Sequence, residues 1–150
     1  MIAETLDQYR TIVAEALEVS ALAYATAQTV AMLHPNACGP ALYVDDLGRA
    51  LGFARSAAHR SGELGVVPPP PVEVLTNGRW RDSAERQAAD WLRAATWFRA
   101  AVNGHEQDLD APGSIATLAA VERARVACLR AAELATLHAE AREGRYGHKC

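Results

Sequence analysis

Five histidines are spread along the 150 residues, and two of them stand near a carboxylate. His59 is four residues before Glu63, and His105 is five before Asp110. Those residue types at near-helical spacing are what a metal-binding helical bundle uses. A di-iron bundle, however, needs a Glu-x-x-His repeat on each of two helices, and the chain has none. His34, His59, His105 and His138 instead fall at or near the C-terminal ends of the expected helices. The negative end of the helix dipole favours a cationic side chain there. If the helices run up and down in turn, His34 and His105 share one end and His59 and His138 the other. A crossover connection would pair His59 with His105 and His34 with His138. No metal or cofactor is expected.

The remaining reactive residues also lack partners. Asp45-Asp46 and Asp108/Asp110 read as helix capping and a solvated loop rather than an acid–base pair. The chain has no G-x-S-x-G nucleophile elbow, no phosphate loop and no G-x-G-x-x-G turn. Cys38, Cys128 and Cys150 are odd in number and form no C-x-x-C, which argues against a disulfide framework or a zinc knuckle. Cys128 lies among alanines and reads as a packed thiol. A reducing, cytoplasmic setting fits this usage. Catalysis is therefore not expected. Among the aromatics, Trp91 and Phe98 are seven apart and belong to one stripe. Trp97 lies off it and is the candidate for a contact surface or the wall of a ligand pocket.

The elements that would position these residues are helices. Half of the residues are hydrophobic and about a fifth are alanine, the best helix former. The net charge of −3 supplies no basic field to draw the chain onto nucleic acid or acidic lipid. The early Glu4, Asp7, Glu15 and Glu18 argue against a signal peptide, and polar residues interrupt the longest uncharged run, Val19 to Val44. No membrane association is expected.

The first helix is predicted from about Ala3 to His34. Leu6, Tyr9, Val13, Ala16, Ser20, Ala23, Ala27 and Val30 alternate spacings of three and four, and Pro35-Asn36 ends the run. Pro40 suits a helix start. The third helix is predicted to begin at Asp82, which stands in capping-box spacing to Glu85, with Ala84, Ala88, Trp91, Ala95, Phe98 and Val102 inward. The fourth is predicted from Ser114 to about Glu143, with Ile115, Leu118, Glu122, Val126, Leu129 and Leu137 near its inner face. Residues 144–150 are expected to be a flexible tail.

The stretch from Val44 to Leu64 has two readings. Val44, Leu47, Leu51, Ala54, Ala58 and Ser61 keep a three-four spacing throughout, as one helix would. Gly48 and Gly52 then make a notch for a bulky neighbour, Trp91 or Tyr24, and Phe53 needs a pocket of its own. Alternatively the chain breaks at Gly52. The run from Asp46 to Arg60, with Gly48, Gly52 and Phe53 at the turn, resembles the helix-turn-helix of winged regulators of the MarR and IclR kind. That resemblance implies a DNA reader at 44–62. Arg55, Ser56, His59 and Arg60 would meet the major groove, and a wing at 72–81 would carry Arg79 and Arg81 beside the Asn77-Gly78 tip.

The fold expected is an all-α four-helix bundle, a single helical domain over residues 1–143, with a proline-rich connection (Pro68 to Pro71) between the second and third helices. The function expected is a non-catalytic interaction or regulatory module acting as a homodimer with a further, unidentified protein partner. The alternative is the winged helix-turn-helix regulator, and only it would bind nucleic acid.

Overall fold

A computed structural model describes residues 2–34, 40–65, 79–103 and 109–146, with side chains described over 7–34, 44–61, 84–103 and 109–137. It is an all-α, four-helix bundle: α1 (Ile2–Leu33), α2 (Pro40–Gly65), α3 (Arg79–Asn103) and α4 (Ser114–Tyr146). The proline-rich connection and residues 72–78 of the expected wing lie outside the described residues, as do His105 and the side chain of His138.

Each helix packs against two neighbours in a square. The helix α1 touches α2 and α4, α3 touches the same two, and α2 and α4 meet only marginally across the diagonal. Side-chain contacts set the direction. Tyr24 near the end of α1 lies over Gly48 early in α2. Ser56 late in α2 reaches Asp90 early in α3. Val30 in α1 packs on Gly113 at the entrance to α4. The helices therefore run up, down, up and down. This is the up-and-down arrangement rather than the crossover one, and His34 and His59 lie at opposite ends of the bundle.

Most of the buried apolar residues are alanines. Small residues let helix axes approach closely, so a few large side chains fill the interior: Tyr9, Leu47, Trp91, Phe98 and Val121. The predicted stripes of α1 and α3 face inward, with Val30 and Val102 half-buried at the margin. Residues 44–62 belong to one unbroken helix, and no turn interrupts Gly52, Phe53 and Ala54. Gly48 seats Tyr24, whose Cε1 lies 3.2 Å from where a Cβ would stand, whereas Gly52 faces open space. The notch is thus one residue deep. Phe53 finds its separate pocket, packed against the core beneath the Arg93 guanidinium, 5.9 Å from its ring centre.

Three expectations need correction. The helix α3 starts at Arg79 rather than Asp82, because no breaker stands between Gly78 and Asp82; Arg79–Arg81 is helix rather than the end of a wing, and Asp82 is not a cap. The helix α4 continues to Tyr146, past the expected tail boundary. Its inner face is not the predicted one. Ser114, Thr117, Val121, Ala124, Cys128, Ala131 and Ala135 are buried, while Ile115, Val126, Leu129 and Leu137 are exposed. Apolar residues surround α4, so periodicity alone offers two stripes. The bulk of Trp91, Phe98 and Tyr9 selects the small-residue one. Gly113, at φ +78°, makes the sharp entry to α4, and Ser114 N–H donates to the Ala111 carbonyl at 3.1 Å.

Candidate interaction surface

Two of the buried polar residues, Gln87 and Asp90, lie toward the end of the bundle where α1 and α3 begin, whereas Ser20, Ser114 and Thr117 are buried elsewhere. Tyr9 Oη donates to Gln87 Oε1 at 2.5 Å and accepts the Trp91 indole N–H at 2.9 Å. Gln87 Nε2 donates to the Arg60 carbonyl at 3.2 Å. One turn along α3, Asp90 accepts from Ser56 Oγ at 3.0 Å. Arg93 stands 3.3 Å from the other oxygen of Asp90. Arg60 Nε lies 3.2 Å from Asp90 Oδ2 as an ion pair, without the alignment a hydrogen bond requires. Burial pushes the Tyr9 phenol well above the ordinary tyrosine range, and the Trp91 hydrogen bond only partly opposes it. Tyr9, Gln87, Trp91, Ser56 and Asp90 are hydrogen-bonded, whereas Arg60 Nε is met only by its ion pair. Their arrangement fixes the register of α1, α2 and α3 and leaves no open acid–base pair.

The residues expected to read DNA do not share a face. Ser56 and Arg60 turn toward α3 and engage Asp90. Arg55 and His59 are exposed elsewhere on α2. Arg79 and Arg81 open α3, and their side chains lie outside the described residues. Trp97 is half-buried against the core, with the Arg49 guanidinium 5.1 Å over its ring. Its face is covered from within the chain. Among the described residues no cluster of histidine, cysteine and carboxylate is placed to hold a metal ion.

Cys128 faces Ser20 across the α1–α4 seam, with Sγ and Oγ 3.4 Å apart. Burial pushes its thiol up to about 11, with the Ser20 contact working the other way. That suppresses the thiolate and makes the sulfur a packing group.

The surface has a different character on its two halves. Among the described residues, every exposed large hydrophobic except Leu92 lies on α1, on α4 or in the turn before α4. Leu22, Met32 and Leu33 come from α1, and Ile115, Val126, Leu129 and Leu137 from α4. The outward side of α2 carries Asp45, Arg49, Arg55 and His59 instead. An open groove of about 310 Å³ runs between α1 and α4, floored by Ile12, Val19, Val126 and Ala127 and edged by Glu15, Arg123 and Arg130. On the α3 side Arg125 grips Glu122 through two hydrogen bonds, at 2.9 and 2.5 Å. Those bonds, with the charges of Arg125 and Arg99, hold the Glu122 carboxyl below its usual range. By length and composition α1 is apolar enough over Asp7–Leu33 to cross a membrane, yet its stripe from Tyr9 to Ala27 is buried in the bundle.

Sequence reasoning missed both the polar layer and the outward stripe. Gln87 stands at an inward position between Ala84 and Trp91, and that was a legible sign of a buried polar partner. Comparison with family models, characterised proteins and solved structures finds no match for this chain.

Proposed function

We infer that the chain is a non-catalytic helical interaction module, homodimeric and cytoplasmic, whose working surface is the outward face of α1 and α4. The observation that carries this reading is the segregation of exposed large hydrophobics to that half of the bundle. Scattered single apolar residues need no explanation, but a concentration on one face marks a contact site. The absence of C-x-x-C and the raised, buried Cys128 thiol are compatible with a reducing compartment. The inward-turned polar groups supply register rather than a reaction centre.

The test is sedimentation velocity on the purified chain, with circular dichroism as a control for folding. The wild type is expected to self-associate. The double substitution Val126→Glu and Leu129→Glu is expected to stay folded and monomeric, because both side chains are already exposed in the single chain. Unchanged association in that variant would move the working surface away from α4.

A further inference from the structure

We propose that the occupant of this face is a second copy of the same chain, seated with its α4 antiparallel to α4 about a two-fold axis that passes beside Val126. This rests on the homodimeric interaction-module reading above and adds the orientation of the two copies and the residues that pair.

The argument starts from spacing. Ile115, Val126 and Leu137 are separated by eleven residues on each side, three helical turns with a drift of only about 20° per step. All three are exposed, at 68%, 51% and 46%, on the side of α4 opposite its alanine core face. They form an outward line roughly 33 Å long, at 1.5 Å per residue. A two-fold axis at Val126 sends each residue to the one equally far on the other side. Ile115 then meets the partner's Leu137, and Val126 meets the partner's Val126.

The charges obey the same operator. Glu122 lies four residues before Val126 and Arg130 four after, so Glu122 stands level with the partner's Arg130, twice over by symmetry. Arg130 makes no ion pair among the described residues, and the Glu122 side chain is 59% exposed beyond its bonds to Arg125. Glu133, which breaks the apolar line, falls level with the partner's Ala119 and one turn from the partner's Arg123. Glu133 and Arg123 also have no ion-pair partner among the described residues. A parallel arrangement fails on the same residues. It would set Glu122 against the partner's Glu122 and Arg130 against the partner's Arg130, a repulsion that selects the antiparallel form. The α1 helix adds Leu22 beside this line, half-exposed. A face about 33 Å long and two helices wide offers on the order of 650 Å² per copy, close to the roughly 800 Å² of an ordinary stable interface.

The test is cysteine cross-linking on the full chain carrying Cys38→Ser and Cys150→Ser, with the buried Cys128 kept. Val126→Cys is compared with Leu92→Cys, which is 48% exposed on α3, outside the proposed α1–α4 face. Val126→Cys is expected to form a covalent dimer at least tenfold faster, because a residue on the two-fold axis faces its own copy. A second arm uses sedimentation. Arg130→Glu is expected to abolish the dimer, and adding Glu122→Arg is expected to restore it. A wild-type dimer whose Val126→Cys variant cross-links no faster than Leu92→Cys overturns this arrangement while leaving the interaction-module reading standing. A wild-type chain that stays monomeric at every concentration overturns the self-association itself, and co-sedimentation of that monomer with lipid vesicles would assign the face to a membrane.

Discussion

The Tyr9 hydroxyl and the Trp91 indole nitrogen lie 2.9 Å apart across the diagonal of the bundle, joining two helices that otherwise do not pack directly. Both side chains are fully buried, so neither polar atom has water to fall back on. Tyr9→Phe removes the oxygen, orphans the Trp91 N–H and takes one partner from the Gln87 amide oxygen. The expected cost is about 1–3 kcal/mol. At about 2–4 °C per kcal/mol for a chain of this size, the melting temperature should fall by roughly 2–12 °C. Differential scanning calorimetry checks this.

Asp90 anchors the second layer of the network, where Ser56, Arg60 and Arg93 meet it. Its side chain is only 9% exposed, whereas that of Arg93 is 61% exposed. Asp90→Ala therefore leaves the buried Arg60 Nε and the Ser56 hydroxyl without their partner and is expected to cost about 1–3 kcal/mol. Arg93→Ala is expected to cost less than about 1 kcal/mol, since an exposed ion pair is screened by solvent. Urea denaturation of the two variants should separate them clearly, and equal losses would contradict the buried layer.

Two glycines predict opposite signs. At Gly52 an added Cβ meets nothing within 4 Å, so Gly52→Ala should stabilise α2 by about 0.5–1 kcal/mol through the helix preference alone. At Gly113 the φ of +78° disfavours any side chain, and a Cβ would stand 2.5 Å from Val30 Cγ2. Gly113→Ala should destabilise by more than about 1 kcal/mol. Thermal melts of the two single variants give both signs directly.

Cys128 yields a prediction in pH. Its thiol is pushed up to about 11 in the folded chain from an ordinary value of 9.0. Below pH 9 both states hold the proton, and stability does not change on its account. Between pH 9 and 11 the unfolded chain loses the proton first, so stability falls as pH rises, by about 2–3 kcal/mol in all. Cys128→Ser should remove that step, leaving the further loss above pH 10 due to Tyr9, whose phenol is also raised. In the native state at neutral pH, Cys128 should resist iodoacetamide until denaturant is added, as followed by peptide mass spectrometry.

Much of the fold was legible because most helices have one apolar side. Every residue that the spacing placed inward in α1 from Tyr9 to Ala27 and in α3 from Ala84 to Phe98 is buried, with Ile12, Val19, Gln87, Asp90 and Ala94 buried beside them. The unbroken run through Gly52 followed from the same rule, since a single glycine costs only about 1 kcal/mol in a helix. The working surface was not legible. Trp97 drew attention as an off-stripe aromatic, but Arg49 covers its ring. The aliphatic residues of α4 drew the opposite reading, as core.

That difference has one physical source. Composition and the three-four spacing of apolar residues determined that this chain makes four long helices, where most of them lie, and which sides of the first three turn inward. A helix with alanines on one side and larger aliphatics on the other has no inherent inside. Only the assembled bundle decided it. Tyr9, Trp91 and Phe98 already occupy the interior volume, and close packing admits the small side of α4 against them. The same steric choice turned Ile115, Val126 and Leu137 outward, and it drew Ser56, Arg60 and Asp90 together from helices that local sequence could not place side by side.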